Sequence, residues 1–392
     1  MTTAKETRSM TFQISRRLML TGAVGASLAG AAGTASRAAE EKGAFPLDAH
    51  LQAHPLLGPE EGVALLARNE NPYGPSQSAL KMIEYAATKG AYYPDKAYPK
   101  LAEMIAERHG VAPEQIAITT GSGEALSAVA LVYGPKGPIV APRLFWDTTA
   151  LYAAQLGMAE IVRVPLAADM SVDLAAIEAA VTDETGLVQL CNPNNPTGLV
   201  SEKGAHKAAI KRMAKKTTVL VDEAYIELCD DPEGESCVEL IKAGHNVIVS
   251  RTFSKIYGMA GLRVGYTISS PETADKIRKT AMSWIAGTGL AAAIGAYNDE
   301  KFLSYSKSKI VEAREMITSK TSELGMEALP SQTNFVYFKS GKPANDVAKT
   351  MADNKILVRG QYMDYKDWTR VSMGKIEDVE RFCAFLPEAV SA

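Results

Sequence analysis

Lys255 stands four residues past the end of the strand-like run "NVIVSR", lies between Ser254 and Tyr257, and is followed by Arg263 eight residues later. A lysine whose ammonium is destabilised by partly apolar or cationic surroundings can form an imine with a bound aldehyde. Asp222, just past the apolar run of "TTVLVDEAY", offers a complementary group. A carboxylate there is expected to be buried and to need a cationic partner. A protonated ring nitrogen would supply one; capping a helix is the alternative role. Tyr225, three residues on, can add a hydroxyl.

Other stretches have residues suited to holding a ligand. Gly121, Ser122 and Gly123 lie between a strand-like run and a helix start, where free N–H groups and the helix dipole favour a phosphate. The same "GSG" also reads as a plain turn. In "CNPNNPTG", Asn195 stands at a loop apex stiffened by Pro193 and Pro196, where its amide can donate to a phenolate oxygen or simply form the turn. Arg263 can reach the phosphate together with Ser254 and Thr252. Trp146, in "PRLFWDTT", can stack on an aromatic ring or belong to the core.

Groups this far apart need a scaffold to gather them. "QIAIT", "PIVAP", "EIVRVPL", "GLVQLC", "TTVLVDEAY", "NVIVSR" and "RVGYTIS" are short and nearly continuous in apolar character, with helical stretches between several of them. That texture predicts an α/β fold with a mostly parallel sheet buried on both faces. Ligands in such sheets gather outside the carboxyl ends of the strands. Past Pro271 the pattern turns to long helices and then to a smaller α/β lobe. The chain's 392 residues exceed what one core normally holds. We expect an N-terminal arm without clear period over 39–68, a large domain over 69–270, and an interdomain helix with a small C-terminal domain over 271–392.

The first 38 residues read differently. Arg16 and Arg17 precede a weakly apolar Ala- and Gly-rich run and small residues suited to cleavage after Ala35 or Ala38. This pattern predicts a twin-arginine signal peptide, use of the twin-arginine export machinery, and a periplasmic or secreted product. The run is short and Gly-rich for a membrane anchor. With 46% hydrophobic residues, 22% charged residues and a net charge of -3, the chain gives no electrostatic argument for nucleic acid or membrane as a partner. Cys191, Cys229, Cys237 and Cys383 match neither a metal site nor a redox pair. Buried free thiols are expected, with a Cys229–Cys237 bridge as the alternative in an oxidising compartment.

"NENPYGPS", "NPNNPTG", "VDEAYIE" and "TFSKIYGMAGLRVGY" occur in that order. Together they resemble pyridoxal-phosphate-dependent aminotransferases of fold type I, class I/II, and most closely the histidinol-phosphate aminotransferase branch, over nearly everything from Asn69 onward. The resemblance implies pyridoxal 5'-phosphate as cofactor, bound through Lys255, with Asp222 under the pyridine nitrogen and Asn195 and Tyr225 at the ring oxygen. It implies Ser122, Gly123, Ser254 and Arg263 at the phosphate, joined by Tyr93 from the neighbouring subunit of a homodimer. It also implies Arg370, in "WTRVSMG", on the substrate carboxylate, Arg359, in "ILVRG", as a second anion contact, and Asn71 at the substrate. Amino-group transfer between an amino acid, or amino-alcohol phosphate, and a 2-oxo acid would follow ping-pong kinetics.

Two segments depart from the family pattern. The arm lacks a Pro-Tyr element that touches a substrate phosphate, and "MSWIAGTGLAAAIGAY" replaces the usual asparagine-bearing segment. Weaker phosphate recognition and tolerance of aromatic or apolar side chains are therefore expected. A decarboxylase or lyase using the same cofactor, and an exported binding protein without catalysis, are the alternatives.

Overall fold

The computed structural model describes residues 55–281 and 284–391. The twin-arginine segment lies outside them, as does most of the expected arm. Eleven strands are present among the described residues: β1 (Ala64–Leu66), β2 (Ile116–Thr119), β3 (Ile139–Pro142), β4 (Ile161–Val164), β5 (Leu187–Cys191), β6 (Thr218–Asp222), β7 (Val247–Thr252), β8 (Gly265–Ile268), β9 (Phe335–Lys339), β10 (Ile356–Val358) and β11 (Trp368–Ser372).

Seven of them form one sheet in the order β2-β8-β7-β6-β5-β3-β4. All neighbours are parallel except those of β8, which runs antiparallel to both β2 and β7. The α/β class and the mostly parallel sheet agree with the sequence expectation. Every residue of β5, β6 and β7 is buried. Burying each Val, Leu or Ile contributes about 1.5–3 kcal/mol, which explains why these strands read as continuous apolar runs.

The strand directions decide where chemistry can collect. The carboxyl ends of β2, β3, β5, β6 and β7 share one edge of the sheet, and the loops leaving them carry Ser122, Trp146, Asn195, Tyr225 and Lys255. Because β8 is reversed, its beginning lies at that same edge, where Gly265 pairs with both Thr252 and Thr119. Arg263, two residues before Gly265, is thereby delivered to the site.

Local signals set the helix ends. Ser76 caps the helix Gln77–Ala87 by accepting from the Ala79 N–H, and Gly110, in the left-handed region, closes Ala97–His109. Ser270, with Pro271 behind it, starts Pro271–Thr280. The segment 39–68, read as an arm without period, contributes β1, which pairs in parallel with β10. The altered segment near residue 290 forms the helix Gly287–Ala296, whose small buried residues permit close packing on Gln77–Ala87.

Two further two-stranded sheets complete the described chain: β1-β10, and the antiparallel pair β11-β9. A bridge between Arg359 and Arg370 joins the end of β10 to β11. Cys191, Cys229 and Cys237 are buried, and all four cysteines are free. No described helix is long and apolar enough to cross a membrane.

Candidate active site

Lys255 lies in the loop after β7, half-buried, and its Nζ donates to the Asn69 carbonyl at 3.2 Å. Burial first, then the positive charges of Arg370 and Arg263, bring its pKa down to about 8, while Asp222 and Glu70 pull it upward. Both causes were expected for an amine held as a nucleophile.

Asp222 ends β6 and is 3% exposed. Its Oδ1 has no hydrogen-bond partner. Burial raises its pKa to about 7, opposed by Lys255 and by the Ala224 N–H. A buried carboxylate oxygen without a donor is costly, and a ligand cation meeting it would remove that cost.

One hydrogen-bonded chain crosses the site. Arg370 Nη1 donates to Asn195 Oδ1 at 2.6 Å, and Asn195 Nδ2 donates to the Tyr225 hydroxyl at 3.3 Å. Asn69 Nδ2 donates to that same hydroxyl at 3.0 Å. With two donors received, the Tyr225 O–H proton is left for a further acceptor. Burial pushes the Tyr225 pKa upward, so the group stays protonated. Arg370 Nη2 donates to the Ala67 carbonyl at 2.8 Å, whereas its buried Nε has no partner. Burial lowers the Arg370 pKa, and the guanidinium remains a cation with donors to spare.

The residues expected at a phosphate converge on the N-terminus of Gly121–Tyr133. Thr252 Oγ1 donates to Ser254 Oγ at 2.9 Å, and Arg263 Nη1 reaches Ser254 Oγ at 3.5 Å and the Ala260 carbonyl at 2.8 Å. Gly121 has φ +75°, and a Cβ there would collide with the Arg263 guanidinium. No side chain caps this helix, so its first N–H groups, including those of Ser122 and Gly123, face outward with the positive end of the helix dipole. Arg263 itself has φ 54°, an uncommon conformation for a side-chain-bearing residue.

Other expected residues fall at different places. Trp146 is 43% exposed beside the carboxyl edge, with its carbonyl accepting from Gln189, so it is not a core residue. Tyr93 is 78% exposed and packs against Trp284 at 5.4 Å. Arg359 is exposed, and its backbone pairs with that of Arg370.

Asn71 does not join the site. Its Nδ2 donates to the Ile256 carbonyl at 2.8 Å and to Ser306 Oγ at 2.6 Å, and its Oδ1 accepts from the Tyr73 N–H. It fastens the loop of "NENPYGPS" to the Lys255 loop, where Gly74 and Gly258 pack too closely for either to carry a side chain. Asn69, two residues earlier, joins the Tyr225 network instead. Sequence reading also missed Asn334, whose Nδ2 donates to the Asn69 carbonyl at 2.9 Å, and Ser372, whose Oγ donates to Asn69 Oδ1 at 2.7 Å. Period-two alternation along β11 puts Ser372 on the face of Arg370, a signal available in the sequence.

These residues fit pyridoxal phosphate: an orphaned acid for a ring cation, a hydroxyl and an amide for a ring oxygen, an anion cradle, and an amine of lowered pKa. The family model for aminotransferase class I and II matches residues 61–386. A histidinol-phosphate aminotransferase from Brevibacillus brevis is 33% identical over 333 residues, 84% of this chain and 91% of that protein. An aromatic amino acid aminotransferase from Mycolicibacterium vanbaalenii is 33% identical over 328 residues, 83% of this chain and 92% of that protein. The crystal structure of histidinol-phosphate aminotransferase from Sinorhizobium meliloti, in complex with pyridoxal-5'-phosphate, superposes with a TM-score of 0.78 at 32% identity, covering 89% of this chain and 99% of that one. This chain belongs to the class I and II aminotransferases, enzymes that use pyridoxal phosphate.

Proposed function

We propose that this aminotransferase exchanges an amino group between an α-amino acid, gripped by its carboxylate at Arg370, and a 2-oxo acid, and that aromatic side chains are accepted. The observation that carries the reading is the unpartnered buried Nε of Arg370, on a guanidinium linked through Asn195, Tyr225 and Asn69 to Lys255. Phe335 and Tyr362 lie 5.2 Å and 5.3 Å from that guanidinium, while Tyr337 stacks on Trp368 nearby, so the carboxylate subsite has aromatic walls.

Bound pyridoxal phosphate supplies the aldehyde that takes the amino group and the ring that stabilises charge at the substrate α-carbon. Lys255 Nζ would form the covalent link and, once released, accept the α-proton and return it. Its pKa of about 8 leaves a useful neutral fraction near neutral pH. Asp222 would hold the ring nitrogen protonated, with Tyr225 and Asn195 donating to the ring oxygen. Thr252, Ser254, Arg263 and the helix start at Ser122 and Gly123 would hold the phosphate, Tyr93 serving the partner subunit of a dimer. Trp146 would cover the ring.

Arg359, beside Arg370 at the bridge, supports a second substrate class bearing a phosphate or second carboxylate, as histidinol phosphate or glutamate does. The purified enzyme is tested with a panel of amino donors, including phenylalanine, tyrosine, glutamate and histidinol phosphate, and 2-oxo acids, with product amino acids measured by mass spectrometry. New amino acid from an aromatic donor is expected. Release of carbon dioxide and an amine in its place would identify a decarboxylase and overturn the transfer reading.

We further propose export through the twin-arginine route after folding and cofactor loading, a reading supported by Arg16, Arg17 and the run that follows. Replacing both arginines by lysine is expected to leave active enzyme in the cytoplasm. Full export of that variant to the periplasm would overturn the proposal.

A further inference from the structure

Arg359 and Arg370 are directly opposite each other across a short antiparallel bridge. The Arg359 N–H donates to the Arg370 carbonyl at 2.9 Å, and the Arg370 N–H returns a bond to the Arg359 carbonyl at 3.0 Å. Residues paired this way send their side chains to the same face, so the backbone brings two like charges together. Like charges in that relation repel, and something must hold the exposed one in place.

Tyr362 is placed to do so. The Arg359 guanidinium lies 5.2 Å from its ring centroid and the Arg370 guanidinium 5.3 Å from the same centroid. One aromatic ring thus attracts both cations through its quadrupole. The ring is itself fixed. Tyr362 begins a turn in which the Tyr365 N–H donates to the Tyr362 carbonyl at 2.9 Å, and Tyr337 meets its ring edge-on at 6.2 Å. Arg370 needs little of this help, because Asn195 and the Ala67 carbonyl already hold it. Arg359 is exposed and depends on it more.

We propose that Tyr362 is a positioning residue for Arg359 and, through it, sets recognition of substrates that carry a second anionic group. The proposal rests on the aminotransferase reading and deepens it. Arg370 meets the α-carboxylate of any amino acid, and Arg359, held over the Tyr362 ring, meets the distal carboxylate or phosphate of some. Without the ring, the long Arg359 side chain moves freely in water and must be ordered each time such a substrate binds. The interaction uses the ring face, so the Tyr362 hydroxyl is dispensable to it.

The test compares KM and kcat for L-glutamate and L-phenylalanine in the holoenzyme, because both present an α-carboxylate to Arg370 and only glutamate presents a second one. Tyr362→Leu is expected to raise the ratio of the glutamate KM to the phenylalanine KM by roughly two- to fivefold, because any loss through Arg370 falls on both substrates and cancels in the ratio. Tyr362→Phe keeps the wild-type ratio. Arg359→Ala raises the ratio at least as far, because it removes the anion contact itself, and adding Tyr362→Leu to Arg359→Ala changes the ratio no further, since the ring acts on the ratio only through Arg359.

An unchanged ratio in Tyr362→Leu or in Arg359→Ala overturns the proposal, as does a Tyr362→Phe variant that behaves like Tyr362→Leu. A wild-type enzyme that turns over phenylalanine and not glutamate overturns it as well, while leaving the aminotransferase reading intact. Absence of amino transfer from every donor overturns the reading beneath it.

Discussion

Asp222 and Glu223 are successive residues at the end of β6, and both are almost fully buried, yet they are provided for in opposite ways. Glu223 Oε2 accepts from Arg251 Nε at 3.1 Å, from Arg251 Nη2 at 2.8 Å and from Ser236 Oγ at 3.0 Å, while its Oε1 accepts from the Cys237 N–H at 2.6 Å. Asp222 Oδ1 accepts from nothing. The first carboxylate closes a structural network among β6, β7 and the segment near Cys237. The second receives the Ala224 N–H and keeps its other oxygen buried without a protein donor. The difference teaches that charge and burial alone do not separate these two acids; the oxygen that Asp222 leaves unmet does.

The most severe way to sharpen the contrast is to remove the amine nearest the Asp222 side. Lys255→Ala is expected to keep its fold and to lose at least about ten-thousandfold in turnover, because the proposed function gives one side chain both the covalent link and proton transfer. Steady-state transamination with the best donor checks this. Turnover within tenfold of wild type would remove Lys255 from the chemistry.

Asp222→Asn and Glu223→Gln test the pair directly. In the proposed role, losing the ionised partner of a ring cation costs several kcal/mol in the transition state, so Asp222→Asn should reduce kcat/KM by roughly a thousandfold with cofactor retained. Glu223→Gln should instead lower stability by about 3 kcal/mol, since it removes the principal counter-charge of buried Arg251 and leaves only the weaker influence of Glu227. Its kcat/KM should fall less than tenfold. Denaturation midpoints and kinetics on the two variants decide, and exchanged phenotypes would break the comparison.

The unmet oxygen also has a pH signature in the cofactor-free protein. The folded pKa of Asp222, about 7, lies above its ordinary value of 3.8. The folded state therefore holds a proton that the unfolded state has released across that interval, and the ionised group destabilises the fold progressively as pH rises from about 4 to 7. Asp222→Asn removes the effect, so the stability advantage of the variant should grow through that window and level off above it. An advantage that shrinks with rising pH would contradict the assigned environment.

How much of this was legible depended on sequence distance. Lys255, Asp222, Tyr225 and Asn195 could be identified as candidates because each follows an apolar strand, and strand ends collect ligands. The reversal of β8 was not legible, because "RVGYTIS" has the same apolar texture as its parallel neighbours, although that reversal is what brings Arg263 to the edge. Asn69 and Asn71 are chemically identical in "NENPYGPS". Their roles separate only through Asn69's φ of 57° and through contacts with Ser372 and Asn334, which lie more than 260 residues away. Tyr225 and Arg370 could be found as residue types, but the amide of Asn195 that links them exists only once β5, β6 and β11 are assembled.

The smallest expected effect sharpens the comparison most, because it reads the field around Lys255 without any turnover. In the cofactor-free protein, acylation of Lys255 requires the neutral amine, so its rate should reach half-maximum near pH 8 rather than near 10.5. Burial is the largest cause of the lowering, and no single charge substitution should abolish it. Arg370 adds to the lowering, and Asp222 opposes it. Arg370→Gln should therefore move the midpoint up, and Asp222→Asn should move it down. Glu223 is not among the charges acting on Lys255, and its own charge is already met by Arg251, so Glu223→Gln should leave the midpoint in place. Peptide mapping of acylated protein across pH measures all four proteins by one readout. A midpoint near 10.5 in the unsubstituted chain would show that the amine is solvated. A shift in Glu223→Gln as large as that in Asp222→Asn would show that the two carboxylates share one field, and the division between a structural acid and a functional one would not hold.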